Sequence, residues 1–207
     1  MLAPALSPGG LEARRRLVDA PAQPLLQLAN LVPRQPDALG SLELAPGPGE
    51  GCLRVRIAGP TLVADLQLTD AEALQPVAIP RPLLLELRRR HGRDADRLVV
   101  EQQPDLPGLL QLRTLGTAAL VAVNAPAGDL LPPLPLPPPE PWAGPADPLW
   151  FQSAELSRLL AVLTRAGCSE VEVRPTGGSG PVGLLLVVAG PLSGELQLAR
   201  CLPPEAP

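Results

Sequence analysis

"CLRVRIAGPTLVADLQL", residues 52–68, is written almost a second time as "GLLLVVAGPLSGELQLA", residues 183–199. Both copies carry Ala-Gly-Pro, at 58–60 and at 189–191. Both then reach an acid followed by Leu-Gln-Leu, at 65–68 and at 195–198. Alternation of apolar and polar residues in such runs marks half-buried strands. Reading outward extends the match. "SLELAPGPGEG" (41–51) precedes the first copy and "SEVEVRPTGGSG" (169–180) the second. Each is an alternating strand, a proline and a glycine-rich turn. Glycine clusters supply the positive φ angles that tight hairpins need.

Further out, each copy has a helix-spaced apolar segment. Leu25, Leu28, Ala29 and Val32 repeat the spacing of Leu156, Leu159, Leu160 and Leu163. That spacing predicts four apolar side chains on one helical face. Glu155, Arg158, Val162 and Arg165 are expected on the other side of the second of these helices, and Gly167 as its cap. A short strand is expected before each helix, at "RLVDA" (16–20) and "LWFQS" (149–153).

The same order recurs between the two copies. "PVAIP" (76–80) reads as the short strand and "RPLLLELRRRHG" (81–92) as the helix, with Pro82 suited to its first turn. Strands are expected at 97–103, 109–115 and 118–126, with turns around Pro104 to Gly108 and at Gly116. The fold class expected is α+β: three strand-helix-three-strand (βαβββ) repeats, with antiparallel sheets and the helices on one face. The divisions are a disordered terminus (1–14), a domain of two units (15–129, split 15–72 and 73–129), a third unit (149–202) and a tail (203–207). Between the second and third units, "LLPPLPLPPPEPWAGPADP" (130–148) reads as a proline-rich linker, since proline cannot donate ladder hydrogen bonds. Trp142 and Trp150, flanking its end, are expected to pin it to the body.

Composition narrows the function. Of 207 residues 45% are hydrophobic, enough for a core, while 18% are charged and the formal net charge is −4. That excludes a generally basic nucleic-acid binder and leaves room for a local basic face. The 30 prolines and 19 glycines point to linker segments. All 17 cationic side chains are arginine, which fits the codon usage of a GC-rich genome. Cys52, Cys168 and Cys201 lack metal-ligand spacing and suit free thiols in a reducing compartment. No leader-like start and no apolar run of about eighteen residues is present, so the expectation is a cytoplasmic protein without a membrane partner.

Nothing in the chain reads as catalytic machinery. A phosphate loop of the Gly-Lys type needs a lysine. "GGSG" (177–180) lacks the spacing of a nucleophile elbow and reads as a hairpin turn. His91 stands alone beside arginines, and no pair of acids is marked out. Asp65 and Glu195 read as solubilising strand-surface acids. The chain is expected to be no enzyme and to use no cofactor or metal.

The unit order resembles the DNA sliding clamps, bacterial and archaeal–eukaryotic. "VAIPRPLLLELRRR" is similar to a clamp's strand and inner helix, and "LVVEQQ", "LLQLRT" and "ALVAVNAPAGDLLPPLP" to its later strands and exit. "FQSAELSRLLAVLTRAG" resembles the opening of a next clamp domain. The resemblance implies paired units forming domains, and domains joined head to tail into a ring lined by helices. It also implies arginines on the inner helices: Arg88, Arg89, Arg90 and Arg93 at the end of the second, Arg158 and Arg165 on the third. Such side chains meet the phosphates of double-stranded DNA without reading bases. The first helix has no cation before Arg34.

This chain departs from the clamps in unit number. A bacterial clamp protomer has six units and the archaeal–eukaryotic type four, whereas three are legible here. The odd unit needs completion by another chain or another copy, and the clamps' partner-binding pocket has no counterpart that the sequence shows. The function implied is a non-enzymatic, self-associating protein that encircles DNA as a processivity or tethering factor. The alternative is a protein–protein adaptor, or an assembly or secretion regulator, without DNA binding. "LELAPGPGEGCLRVRI" resembles secretion-apparatus regulators, but Pro76, Pro80 and Pro82 break the longer helix those want.

Overall fold

The structure, a computed structural model, describes residues 15–34, 40–59, 61–91, 95–103, 106–115, 120–125, 151–176 and 183–199. The expected disordered terminus, the linker with both tryptophans, "GGSG", Arg93, Cys201 and the tail lie outside the described residues. The chain runs β1 (Arg15–Pro21), α1 (Ala22–Leu28), β2 (Ser41–Pro46), β3 (Cys52–Ala58) and β4 (Leu62–Thr69). It continues through a two-residue β5 (Glu72–Ala73), β6 (Val77–Pro80), α2 (Arg81–His91), β7 (Arg97–Gln103), β8 (Leu106–Leu115) and β9 (Leu120–Ala125). Last come α3 (Ser153–Arg165), β10 (Glu170–Thr176), β11 (Gly183–Ala189) and β12 (Leu192–Ala199). The fold is mixed α and β, with antiparallel sheets and three helices among the described residues.

Alternation in the sequence becomes alternation in burial. Leu53, Val55 and Ile57 of β3 and Leu62, Ala64, Leu66 and Leu68 of β4 enter the core, while Arg54, Arg56, Asp65 and Gln67 stand on the other side. Leu42 and Leu44 of β2 and Ile79 of β6 are fully buried with them. At about 25 cal/mol per Å² of apolar surface, each such leucine contributes roughly 1.5–3 kcal/mol before chain entropy is counted.

Two sheets result. One has the order β5-β1-β7-β8-β9, the other β10-β11-β12-β4-β3-β2-β6. The short strands are exchanged: β1 lies along β7, with Asp19 opposite Val99, and β6 lies along β2, with Leu42 opposite Ile79. The two copies of the repeated phrase meet each other. β12 pairs antiparallel with β4 so that Glu195 faces Asp65, Leu196 faces Ala64 and Gly194 faces Leu66. Gly194 is needed there. Its φ is +134°, and a Cβ would stand 2.5 Å from the Asp65 carbonyl oxygen.

α1 touches both α2 and α3 and is buried at Leu25, Leu26 and Leu28. Its residues Gln23, Pro24 and Gln27 are half-buried. Leu25, Leu28, Ala29 and Val32, expected on one face of α1, are all buried, but the helix ends at Leu28, so Ala29 and Val32 enter the core from the turn that follows it. On α3 the buried stripe is rotated from the expected one. Leu159, Val162, Leu163 and Ala166 are inside, while Leu160 is exposed. Val162 therefore does not belong to the polar side. Gly167 ends α3 at φ +93°, and the Cys168 N–H donates to the Leu163 carbonyl at 3.0 Å.

Two further expectations need correction. β8 begins at Leu106, so Pro107 and Gly108 lie in the strand, beside a register shift at Gln102/Gln103 that absorbs them. In the expected strand at 149–153, Phe151 and Gln152 belong to no strand and Ser153 opens α3.

Candidate nucleic-acid interface

The arginine the structure singles out, Arg81, is one the sequence reading passed over. Pro80 ends β6 and Pro82 favours a helical start, so Arg81 becomes the first residue of α2. Its backbone N–H donates to the Gly40 carbonyl at 2.9 Å. Gly40 lies against the end of the α1 segment, where a Cβ would stand 2.4 Å from the Pro33 carbonyl oxygen. Arg34 follows directly. This close packing brings one cation from each helical segment together.

The Arg81 Nε is buried and has no hydrogen-bond partner. Burial, and then the neighbouring charges of Arg34 and Arg158, push the Arg81 guanidinium below the usual arginine range. Arginine stays charged all the same. Its position also works against it, because the N-terminal end of a helix carries positive partial charge. A cation held at the wrong end of a helix, partly buried, beside two more cations, is a costly arrangement that an anion would relieve. Arg34 and Arg158 are exposed and accessible to one.

The expected arginines are arranged differently from one another. Arg158 joins the Arg34–Arg81 cluster. Arg89 and Arg90 both bend back to Glu86, Arg89 with Nε and Nη2 at 3.1 and 3.0 Å. Hydrogen bonds from Arg89 and Arg90 hold the Glu86 carboxyl below the usual carboxylate range. Part of that cationic patch is thus spent on an internal acid. Arg88 is half-buried on the same helix, and Arg165 is exposed in the last turn of α3, where it complements the helix dipole. Arg93 lies outside the described residues.

On the sheet, a groove beside the β2–β3 turn is lined by Pro46, Gly47, Arg54, Asp65, Gln67 and Glu195. Arg54 makes a two-pronged contact with Asp65, Nε to Oδ1 at 2.8 Å. The Asp65 hydrogen bond raises the Arg54 guanidinium above its usual range. Asp65 and Glu195 stand opposite each other across β4 and β12, and like charges so placed repel. Arg54 offsets that repulsion. Asp65 therefore ties β4 to β3 through Arg54 as well as facing the surface, with a side chain only 18% exposed.

Glu43 is raised by burial, partly offset by Arg56 at 3.3 Å, and Glu101 pairs with Arg113 at 3.2 Å. No group of three or more His, Cys, Asp or Glu capable of holding a metal is present among the described residues. Among the described residues, no helix is long and apolar enough to cross a membrane.

No protein-family model matches the chain. No curated protein matches it either. Among solved structures it is similar to a DNA polymerase sliding clamp from Caulobacter crescentus, at 14% identity and a TM-score of 0.43, covering 97% of this chain and 54% of that one. The chain spans about half the length of that clamp.

Proposed function

We propose that this chain is a non-enzymatic, clamp-type protein of three βαβββ units that self-associates and holds double-stranded DNA without reading its sequence. The units are residues 15–72, 73–129 and 149–202, joined by the proline-rich linker at 130–148. The cytoplasm is the proposed location. The observation that carries the DNA reading is the Arg34–Arg81–Arg158 cluster, with the Arg81 Nε buried and unpartnered. A phosphate bound by the exposed Arg34 and Arg158 would supply the missing negative charge beside Arg81. Arg88, Arg89, Arg90, Arg93 and Arg165 add a wider cationic rim in this reading. The exchange of β1 and β6 between two meanders supports the pairing of the first two units.

The test is retention on plasmid DNA across a salt series. Each phosphate contact contributes about −0.9 to the slope of log affinity against log salt. Arg34→Ala, Arg81→Ala and Arg158→Ala combined should flatten the slope by about 2–3. Reversal of Arg88, Arg89 and Arg90 to Glu should also weaken retention, less steeply per residue because Glu86 already occupies two of them. Unchanged retention in both variants, with the fold intact by circular dichroism, removes DNA from the reading. Apolar exposure at Val173 and Leu160 favours a second reading, an adaptor of the same architecture that works through protein contacts alone. Absence of DNA retention together with defined self-association would select it.

A further inference from the structure

β10 is bonded to β11 along one side and has no strand along the other among the described residues. β2 holds the matching place in its own meander, and there the outer side is covered by β6. The two strands are written alike, Leu42-Glu43-Leu44-Ala45-Pro46 against Val171-Glu172-Val173-Arg174-Pro175. Leu44 is 0% exposed, but Val173 is 53% exposed. The helices repeat the contrast. Ala29 is fully buried where α3 carries Leu160 at 39% exposure, and Leu25 is fully buried where α3 carries a half-buried Leu156.

At these positions the first unit is covered and the third is open. Within one chain the first two units cover each other by exchanging β1 and β6, so neither has a free face of this kind to offer. A second copy has one, in its own third unit. The geometry points to a symmetric dimer of this chain in which β10 of each copy pairs antiparallel with β10 of the other, completing the third unit. This rests on the three-unit reading above and is independent of DNA.

Charge fixes the register. With the two-fold axis at Val173, the two Val173 side chains meet. Glu172 then faces Arg174 of the second copy, twice over. Within one chain Glu172 and Arg174 already form an ion pair at 2.7 Å, so both charges lie on one side of the strand. Shifting the axis to Val171 would set Glu170 against Glu172 of the second copy, which repels. Pro175 has no N–H to donate and ends the ladder, keeping the joined edge short. A two-fold contact of this type is self-complementary and closes after two copies.

The experiment is light scattering on the full chain over a concentration series, with hydrogen exchange at its two ends. The expected result is a species of twice the chain mass, and amides of 170–174 that gain protection as concentration rises. Val173→Glu puts like charges on the axis and should raise the dissociation constant about tenfold or more. Glu172→Arg alone should do the same, and adding Arg174→Glu should restore the dimer. A monomer at every concentration overturns the inference. So does a dimer indifferent to Val173→Glu, or a Glu172→Arg defect that the charge swap leaves uncorrected. Plasmid retention is read separately: a dimer that breaks as expected without retaining DNA sinks the DNA reading and leaves this one standing.

Discussion

Replacing Gly194 by alanine tests whether the repeated phrases meet as described. Gly194 sits on β12 opposite Leu66, with φ +134°. An L-residue at such an angle is strained by roughly 1–3 kcal/mol. The added Cβ would also stand 2.5 Å from the Asp65 carbonyl oxygen and 2.9 Å from the Leu66 Cα. Both are backbone-level obstacles in β4, so neither can swing aside as a side-chain tip would. Forcing them apart costs about 1–3 kcal/mol more, as overpacking does. Alanine restricts the unfolded chain and returns about 0.4–1 kcal/mol. The net expectation, by summing these terms, is a loss of about 1–6 kcal/mol, read from urea denaturation followed by circular dichroism. Gly49 is the control. A Cβ there meets nothing within 4 Å, so Gly49→Ala should shift stability by no more than about 0.5 kcal/mol. A Gly194→Ala loss as small as the control's would mean that β12 is not seated on β4 in this register.

Arg81→Met should separate stability from binding. It removes a buried unpartnered donor and its repulsion with Arg34 and Arg158, so stability should hold or rise by up to about 1 kcal/mol while plasmid retention falls; a clear loss of stability would reveal a structural partner for Arg81. Glu86 is held below its ordinary value of 4.5 by Arg89 and Arg90, so its contribution is present above that value and is lost as pH falls through the lower folded one. Glu86→Gln should therefore be less stable than the parent at neutral pH, with the gap closing in acid; a gap independent of pH refutes the pairing. The Cys168 thiol is raised by burial and is held near the Leu192 carbonyl, at 3.6 Å. In mass-mapped alkylation it should react more slowly than half-buried Cys52 in the native protein, and equally fast once unfolded. Leu66→Ala, at a fully buried site, should cost about 2–5 kcal/mol in the same urea assay.

The order of elements could be read from the chain because period-2 and period-3.6 patterns are local. "SLELAP" and "CLRVRIA" alternate cleanly and are β2 and β3. Spatial neighbours could not be read that way. Nothing in "ADLQL" says that its partner is "GELQL", or that β1 will lie on β7, because pairing is decided by long-range packing. The buried stripe of α3 differs from the expected one by part of a turn: leucines at 156 and 160 suggest an inward face, but Leu159, Val162 and Leu163 are the buried residues. The arginine run at 88–90 drew attention by density, although Glu86 stands within one turn of it. Arg81 was overlooked because a single arginine between two prolines has no pattern. Its signal was chemical: a cation at the positive end of a helix.

The exchange of strands has a bearing on how the protein is made. During synthesis β1 leaves the ribosome early, but its neighbour β7 is not complete until residue 103, and β4 waits for residues 192–198. Until then Leu17 and Val18 lack the β7 they lie against, and β4, already paired with β3, keeps its other edge open. Contacts that close such long loops are slow to form, so this sheet waits for β12. A stop codon ahead of residue 192 would leave that edge of β4 uncovered and prone to pair with other nascent chains.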